Sequence, residues 1–354
     1  MNRPPVHLFR PAIAEMQAYV PGEQPEGGGF LKLNTNENPY PPAPRLVERV
    51  RAACGEELRL YPDPQARSLR RRLAEVFGVQ PEQTMVGNGS DELLGIIMRS
   101  FVDPGDPVAY PHPTYSYYQQ LVQTQAGRSI QVDYPEDYAL PLEELAAQGA
   151  KVTLVVNPNA PSGTLVPLDR IAALASRVRG LLVVDEAYVD FSDGGAVPLL
   201  SGHPNLIVVR TMSKSFSLAG MRIGFAFAAP ELMAGMAKVR DHYNVNRLSL
   251  LAAEAALDEI EVMRSQAARI RSSRTRLTAE LRELGFQVWD SEANFVLCRR
   301  GSPTAATLYA RLKERRILVR HFEQPRLQDC LRITVGTDEQ CSTLIAAMRE
   351  ILAG

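Results

Sequence analysis

Lys214 lies among residue types that could together bind a small molecule carrying an aldehyde and a phosphate. It follows an apolar stretch typical of a buried strand, and the hydroxyl residues Thr211, Ser213 and Ser215 surround it, with Arg222 further on. A lysine amine can hold an aldehyde as a Schiff base, whereas hydroxyls and a fixed cation suit a phosphate. Pyridoxal phosphate (PLP) carries both groups. We therefore expect Lys214 to bind PLP, although a single lysine is more often a solvated surface charge.

Asp185 and Tyr188 follow a second apolar stretch, residues 181–184. An unpaired carboxylate at the end of a buried strand is costly, so Asp185 needs a cationic partner. A protonated pyridine nitrogen is such a partner, and the pairing keeps the ring an electron sink. Tyr188 would then reach the phenolic oxygen of the ring. The alternative is that Asp185 only caps the element after the strand.

Three further turns carry polar residues next to predicted strands. In the segment 87–92, the glycines permit a tight turn and Ser90 suits a helix N-cap, so the amides near Ser90 and Asp91 could hold a phosphate. A well-capped helix without a ligand explains this turn equally well. The segment 157–163 is a turn-rich loop after a strand. Tyr115, in the third turn, could stack on a planar ring, although helical aromatic residues usually belong to the core.

Alternating strand and helix patterns between about residues 66 and 230 must position these turns. The predicted strands are 84–86, 107–110, 152–156, 181–184, 206–209 and 223–227, and the predicted helices are 66–79, 90–102, 114–125 and 171–178. This alternation predicts a mostly parallel sheet whose strand ends bind the ligand.

The pattern changes after residue 250. It predicts one long helix over 255–284 that ends at Gly285, short strands at 295–297, 317–319 and 331–333, and a last helix over 338–352. We expect a smaller α+β domain here, completed by the segment before about residue 40. The cleft between the two domains would then be the active site.

Composition narrows the possible partners and locations. The chain has 354 residues, with 40 acidic and 39 basic side chains, so nothing favours binding to nucleic acid or an anionic membrane. No signal peptide and no apolar stretch of the roughly 20 residues that a membrane helix needs is expected. The cysteines show no metal-binding spacing and suit reduced thiols in a cytoplasmic protein; they are Cys54, Cys298, Cys330 and Cys341. None of the histidines is assigned a catalytic role, and no metal is expected.

Six motifs in order carry a family resemblance over nearly the whole chain. They are Asn-Glu-Asn-Pro (36–39), Gly-Asn-Gly-Ser-Asp-Glu (87–92), Asn-Pro-Asn-Ala-Pro-Ser-Gly (157–163), Asp-Glu-Ala-Tyr (185–188), Ser-Lys-Ser-Phe-Ser-Leu-Ala-Gly-Met-Arg-Ile-Gly (213–224) and Leu-Arg-Ile-Thr-Val-Gly-Thr (331–337). Together they resemble the class II members of the fold-type-I PLP-dependent aminotransferases, and most closely the histidinol-phosphate aminotransferases. The resemblance implies an α/β fold with two parts. A large domain, residues 40–250, would hold a mostly parallel seven-stranded sheet sandwiched by helices, and residues 1–39 and 251–354 would form a smaller α+β domain.

The resemblance also implies roles for individual residues. Lys214 would bind PLP covalently, Asp185 would pair with the ring nitrogen and Tyr188 with the phenolic oxygen, and Tyr115 would stack on the ring. The residues expected to hold the cofactor phosphate are Gly89, Ser90, Asp91, Thr211, Ser213 and Arg222. Tyr61 would reach that phosphate from the neighbouring subunit, which implies a homodimer with shared active sites.

One position departs from the family pattern. The family usually has asparagine immediately before the Pro-Thr/Ser-Gly of the loop, where its amide reaches the phenolic oxygen, but this chain has Ala160. Either Asn157 or Asn159 takes over as a cofactor contact, or Tyr188 works without that partner. The loss of one neutral hydrogen bond is worth about 0.5–1.5 kcal/mol.

The resemblance implies transamination between L-histidinol phosphate and 2-oxoglutarate, which gives imidazole acetol phosphate and L-glutamate in histidine biosynthesis. Arg320 and Arg332 would bind the anionic end of each substrate, while Tyr19 and the segment around Asn34 would line the side of the imidazole. Lys214 would act as general base and then general acid. An aromatic amino acid aminotransferase and a phosphothreonine decarboxylase are the alternatives on the same fold.

Overall fold

The protein is described here by a computed structural model that covers residues 8–25 and 27–353. Its strands are β1 (Leu31–Lys32), β2 (Thr84–Gly87), β3 (Pro107–His112), β4 (Arg128–Asp133), β5 (Val152–Val156), β6 (Leu181–Asp185), β7 (Leu206–Thr211), β8 (Gly224–Phe227), β9 (Gln287–Val288), β10 (Phe295–Arg299), β11 (Ile317–Leu318), β12 (Arg320–His321) and β13 (Cys330–Thr334). Its α-helices are α1 (Pro11–Ala14), α2 (Pro44–Ala52), α3 (Arg67–Phe77), α4 (Ser90–Phe101), α5 (Tyr117–Thr124), α6 (Leu142–Ala147), α7 (Leu168–Arg177), α8 (Pro230–Met236), α9 (Arg247–Asp258), α10 (Ile260–Glu283), α11 (Ala305–Glu314) and α12 (Asp338–Ala353).

A seven-stranded sheet forms the centre of the fold, in the order β2-β8-β7-β6-β5-β3-β4. β8 runs antiparallel to both of its neighbours, and the other pairs are parallel. Every residue of β5, β6 and β7 is buried, because these apolar runs are covered on both faces. The prediction of an α/β fold with a mostly parallel seven-stranded sheet is confirmed.

The pairing of these strands brings the polar turns to one edge of the sheet. Asp185 ends β6 opposite Val156 of β5, and Thr211 ends β7 opposite Gly224 of β8. Gly224 also pairs with Gly87, the last residue of β2. Residues far apart in sequence therefore meet where these strands end, as expected for ligand sites in open α/β sheets.

Two smaller sheets lie outside the central one. β12, β13, β10 and β9 form an antiparallel sheet in that order, and β1 pairs with β11 in parallel. The predicted strand over 317–319 is observed only as β11; Val319 belongs to no strand, and β12 of the other sheet begins at Arg320. Arg320 and Arg332 are direct partners in the β12–β13 pairing. Among the described residues, no helix is long and apolar enough to cross a membrane.

The long helix predicted over 255–284 is wrong in its extent. Two helices, α9 and α10, cover this region and meet at Glu259, whose φ of −105° and ψ of 31° leave the helical range. α9 packs against α2 and α3, and Asp258 pairs with Arg49 at 2.7 Å. Packing therefore sets the break. The predicted end at Gly285 is confirmed, because that residue has φ +80° and the next amide bonds back to Leu281.

Candidate active site

One cavity at this edge of the central sheet brings together most of the predicted site residues. The predicted residues that line it are Tyr19, Asn34, Ser90, Asp91, Tyr115, Asp185, Tyr188, Thr211, Ser213, Lys214, Arg222, Arg320 and Arg332. The cavity has a volume of about 200 Å³, or about 1080 Å³ when the open solvent at its mouth is included.

Lys214 extends into the cavity from the turn after β7. Its Nζ donates to the carbonyl oxygen of Thr35 at 3.2 Å and lies 5.8 Å from the ring centre of Tyr188. Burial lowers the pKa of Lys214 to about 8, and the charge of Arg332 acts in the same direction. The uncharged amine, which can attack a carbonyl or accept a proton, is therefore reached close to neutral pH.

Asp185 carries a buried carboxylate at the floor of the cavity, where only 3% of the residue is exposed. It accepts hydrogen bonds from the amide of Ala187 at 3.2 Å and the hydroxyl of Tyr118 at 3.4 Å. No lysine or arginine within the described residues forms an ion pair with it. Burial, followed by the charge of Asp91, raises the pKa of Asp185 to about 7. A cationic ring nitrogen would supply the missing partner.

The start of α4 borders the cavity through Ser90 and Asp91, whereas the preceding Gly89 does not line it. Gly89 has φ +84°, a conformation that favours glycine, and α4 begins at Ser90. A Cβ atom on Gly89 would lie 2.6 Å from Nη2 of Arg222, and one on Gly224 would lie 2.4 Å from the amide nitrogen of Ser90. The two glycines thus keep this helix N-terminus open to an anion.

Hydroxyl groups and one guanidinium complete this anion site. Thr211 Oγ1 donates to Ser213 Oγ at 2.9 Å, and Arg222 Nη1 lies 3.5 Å from the same Ser213 oxygen. Arg222 also pairs with Asp91 at 3.3 Å. Asp91 in turn accepts the hydroxyl of Tyr115 at 3.0 Å, which fixes that ring at the cavity wall.

These residues fit PLP on three independent grounds. The amine of Lys214 suits the aldehyde, the uncompensated buried carboxylate of Asp185 suits a protonated ring nitrogen, and the open helix start beside Arg222 suits a phosphate. All three face the same cavity.

The two asparagines considered as substitutes for the missing amide at Ala160 do not line this cavity. Asn157 exchanges two hydrogen bonds with the backbone of Val166, at 3.1 and 2.8 Å. Asn159 binds Thr114 and Ser162 at 2.9 Å each. Both amides are thus used by the loop and the adjacent Thr114, and a contact of either with the cofactor stays a prediction.

A different asparagine contacts Tyr188. Asn36 Nδ2 donates to the hydroxyl of Tyr188 at 3.1 Å, and both residues line the cavity. The sequence analysis placed this segment at the substrate side and missed the contact. The only signal for it was the Asn-Glu-Asn-Pro motif that begins at Asn36.

Tyr61 lies away from the cavity of its own chain. It is 77% exposed and stacks on Tyr243 with ring centres 4.4 Å apart. The expectation that it acts on a neighbouring subunit remains a prediction.

Arg320 and Arg332 present two guanidinium groups to the cavity wall. They lie on adjacent strands, and Arg332 stacks near Phe295 and Phe322 at 5.2 and 5.6 Å. Arg320 bonds only to the backbone carbonyls of Val20 and Pro21 among the described residues. Neither arginine pairs with a carboxylate in the part of the chain that the structure describes. Two opposed cations without a counterion favour an anionic ligand.

Tyr19 and Asn34 border the same region. Tyr19 packs edge-to-face against Tyr115 and Tyr117, with ring centres 6.3 and 5.6 Å apart. The backbone carbonyl of Asn34 accepts a hydrogen bond from Arg332 at 3.2 Å. Tyr19 and Asn34 therefore lie beside the arginine pair, and their expected contact with the imidazole of a substrate stays a prediction.

Comparison with known proteins agrees with this site. Residues 29–348 match the family model for aminotransferase class I and II. A histidinol-phosphate aminotransferase from Trichormus variabilis is 46% identical over 98% of this chain and 99% of its own length. One from Geotalea uraniireducens is 44% identical over 97% and 99%. The crystal structure of histidinol-phosphate aminotransferase from Sinorhizobium meliloti in complex with PLP superimposes with a TM-score of 0.90, at 31% identity over 98% of this chain and 97% of that one.

The match spans the strand ends, the loops and the arginine-bearing strands that build the cavity, and it runs through each motif quoted above. On this evidence, the chain belongs to the class I and II aminotransferase family.

Proposed function

We propose that this chain is a PLP-dependent aminotransferase that transfers the amino group of L-histidinol phosphate to 2-oxoglutarate. The products would be imidazole acetol phosphate and L-glutamate, as part of histidine biosynthesis. The observation that carries the proposal is a single cavity lined by Lys214, Asp185 and two arginines, neither of which pairs with a carboxylate among the described residues. The names of the relatives supply the choice of substrate.

The cofactor would be held by the groups described above. Asp185 would hold a proton at the ring nitrogen, and Tyr188 would donate its hydroxyl hydrogen to the phenolic oxygen. Tyr115 would stack on the ring. The cofactor phosphate is assigned to the turn before α4 and to the hydroxyls and guanidinium beside it, namely Gly89, Ser90, Asp91, Thr211, Ser213 and Arg222. When bound, PLP accepts the electron pair left at the substrate's α-carbon.

Proton transfer falls to the amine of Lys214. It takes the α-carbon proton as a general base and returns a proton as a general acid. Its lowered pKa, about 8, supports this role because the uncharged form is available near neutral pH. 2-Oxoglutarate takes up the amino group in the second half-reaction, so the kinetics should be ping-pong.

Substrate choice depends on the arginine pair. Arg320 and Arg332 would bind the phosphate ester of histidinol phosphate and, in the second half-reaction, the side-chain carboxylate of glutamate. Tyr19 and the segment at Asn34 would face the imidazole, because they border this pair.

The proposal includes the organisation of the whole protein. Residues 40–250 would form the cofactor-binding domain, and residues 1–39 and 251–354 the smaller one, with the cavity between them. Two chains would form a homodimer with shared sites, in which Tyr61 reaches the partner's cofactor. A cytoplasmic location is supported by the four cysteines, all of which are unpaired.

A single-turnover experiment tests the proposal. The purified protein is loaded with PLP and mixed with histidinol phosphate, phenylalanine, tyrosine or phosphothreonine in separate reactions. Rapid conversion by histidinol phosphate to imidazole acetol phosphate, and its loss in Lys214→Ala, is the expected result. Faster conversion of the aromatic amino acids would identify an aromatic aminotransferase instead, and release of carbon dioxide from phosphothreonine would identify a decarboxylase.

A further inference from the structure

The hydroxyl group of Tyr188 has a buried amide partner from a distant part of the chain. Asn36 is 1% exposed, and its Nδ2 lies 3.1 Å from Tyr188 Oη. Asn36 adopts φ +56°, which turns its side chain away from the β1 direction and into the cavity. The segment between β1 and α2 therefore places the side-chain amide of Asn36 against the hydroxyl of Tyr188.

Thr334, on β13, fixes which end of this amide faces Tyr188. Its Oγ1 accepts the backbone amide of Asn36 at 2.9 Å and donates to Asn36 Oδ1 at 3.1 Å. Asn294 also donates to the backbone carbonyl of Asn36 at 3.0 Å. Since the amide oxygen is held by Thr334, only the NH₂ end remains for Tyr188.

This orientation decides what the phenol can do. The hydroxyl of Tyr188 accepts a hydrogen bond from Asn36, so its own hydrogen is free to point into the cavity. Burial raises the pKa of Tyr188, and the charge of Arg332 and then the hydrogen bond from Asn36 oppose that rise. A donor that itself accepts a hydrogen bond is a stronger donor.

The loop position where the family usually supplies an amide offers nothing polar here. Ala160 lines the cavity with a methyl group, and the neighbouring amides of Asn157 and Asn159 are used inside the loop. The phenolic oxygen of a bound ring thus has one fewer direct donor, and the remaining one, Tyr188, depends on Asn36.

We propose that Asn36, oriented by Thr334, is a positioning residue that keeps Tyr188 a hydrogen-bond donor to the phenolic oxygen of the cofactor and so offsets the missing amide at Ala160. This inference rests on the proposed function, because it needs Tyr188 to contact PLP. It assigns Asn36 and Thr334 no contact with the reacting atoms.

The test follows the visible absorbance of the bound cofactor as a function of pH. Asn36→Ala, Thr334→Val and Tyr188→Phe are loaded with PLP, and the midpoint of the absorbance change is compared with that of the wild type. Loss of donor strength leaves the phenolic oxygen more basic, so each variant should move the midpoint upward. For Asn36→Ala and Thr334→Val we expect about half a unit to one unit, the equivalent of one hydrogen bond.

A double-mutant cycle separates positioning from a general structural effect. Asn36→Ala should shift the midpoint in the wild-type background and leave it unchanged in the Tyr188→Phe background, because it acts through the hydroxyl that is gone. Thr334→Ser, which keeps the hydroxyl, should restore the wild-type midpoint. Thr153→Val is the matched control, since Thr153 is a buried strand threonine whose hydroxyl has no partner among the described residues.

Each outcome is decisive. An equal shift by Asn36→Ala in both backgrounds, or a shift by Thr153→Val as large as that of Thr334→Val, would overturn the inference. If Tyr188→Phe itself left the midpoint unchanged, the role of Tyr188 in the proposed function would fail, which is a different result. If Asn36→Ala does not fold, Thr334→Val carries the same cycle with Tyr188→Phe.

Discussion

At the scale of single residues, Asp185 is a buried carboxylate that needs a cationic partner, which the cofactor would supply. Its carboxylate is buried, and no cation within the described residues pairs with it. The ionised form is therefore disfavoured in the folded protein, which raises its pKa to about 7. A cationic ring nitrogen beside it removes this penalty. Asp185 therefore destabilises the folded protein without its cofactor and stabilises the folded protein when the cofactor is bound.

The first prediction concerns the stability of the cofactor-free protein. Because the folded-state pKa of Asp185 is raised above the unfolded value, the folded state binds the extra proton between about pH 4 and 7. The contribution of Asp185 to the free energy of unfolding is therefore greatest below this window. It falls by an amount on the order of 4 kcal/mol as the pH rises through the window. Asp185→Asn should abolish this fall. Urea unfolding of both proteins at pH 5 and pH 8 covers about two pH units of this window, so about 3 kcal/mol of the fall should be measured.

Glu186 provides the matched control for this prediction. It is as buried as Asp185 but pairs with Arg210 at 2.8 Å. Glu186→Gln removes the nearer of the two carboxylates beside that arginine and leaves only Asp190 at 3.6 Å, so it should destabilise the cofactor-free protein at pH 8. At the same pH, Asp185→Asn should stabilise it. A loss of stability in both variants at pH 8 would contradict the assignment of Asp185 as an uncompensated acid.

At the scale of elements, the β12–β13 pairing places two cations opposite each other. Arg320→Ala and Arg332→Ala should each weaken the binding of inorganic phosphate to the PLP-loaded enzyme by about 10- to 100-fold, since a hydrogen bond to a charged group contributes about 1.5–3 kcal/mol. Loading with PLP first occupies the separate phosphate site at α4. Isothermal titration calorimetry measures the affinity, and kcat/KM for histidinol phosphate should fall in parallel.

Arg349→Ala is the control for the arginine pair, because Arg349 is exposed on α12 and lies outside the cavity. It should bind phosphate as the wild type does. Unchanged phosphate affinity in both cavity variants would remove the basis for assigning this pair to the phosphate ester.

The start of α4 gives a second prediction at this scale. Gly89→Ala places a Cβ 2.6 Å from Arg222 at a backbone conformation reserved for glycine, which should cost about 1–3 kcal/mol in unfolding free energy. The displaced guanidinium should also weaken PLP binding at least about tenfold. Gly95→Ala lies in the same helix with no atom within 4 Å of the added Cβ and should stabilise by about 0.5–1 kcal/mol. Thermal unfolding and PLP titration of both variants check this, and weakened cofactor binding by Gly95→Ala would argue against the local explanation.

Strands and helices with a strong hydrophobic pattern could be predicted from the sequence. Elements whose bounds depend on tertiary packing could not. The fully apolar β5 was predicted with its observed bounds, because a buried parallel strand leaves a continuous apolar run. The break at Glu259 follows residues with no glycine or proline, so it depends on packing of α9 that the local sequence does not encode. The half-exposed strand β4 alternates too weakly to be predicted.

The site likewise contains residues that could be predicted from the sequence and a contact that could not. Lys214 and Asp185 follow apolar strands, and that context alone indicated buried, functional polar groups. The contact between Asn36 and Tyr188 joins residues 152 positions apart and depends on a left-handed backbone at Asn36. No periodicity or turn signal reports such a contact, since it joins the segment after β1 to the turn after β6.

At the scale of the whole molecule, an exposed apolar surface indicates where a second copy would dock. Tyr61 stacks on Tyr243, and Leu58, Leu60 and Val239 nearby are also exposed. The segments that carry them are joined by Arg247 to Glu57 at 2.8 Å. An exposed apolar surface of this kind commonly marks a protein interface, and it contains the tyrosine that the proposed homodimer assigns to the partner's cofactor phosphate.

A hybrid dimer tests this sharing of sites. Lys214→Ala cannot hold PLP covalently, and Tyr61→Phe should bind it about 10- to 100-fold more weakly because it lacks one hydrogen bond to a phosphate. If Tyr61 serves the partner's site, the hybrid restores one native site, which joins Lys214 of the Tyr61→Phe chain to Tyr61 of the Lys214→Ala chain. After unfolding and refolding an equal mixture, about a quarter of all sites should be native.

Borohydride reduction at a PLP concentration that saturates only native sites, followed by mass spectrometry, counts them. The label should appear on the Tyr61→Phe chains and only after the two variants are mixed. If Tyr61 acted within its own chain, the hybrid would hold no native site, and mixing would add no label. Equal labelling of Tyr61→Phe before and after mixing would likewise show that this tyrosine does not reach across a dimer.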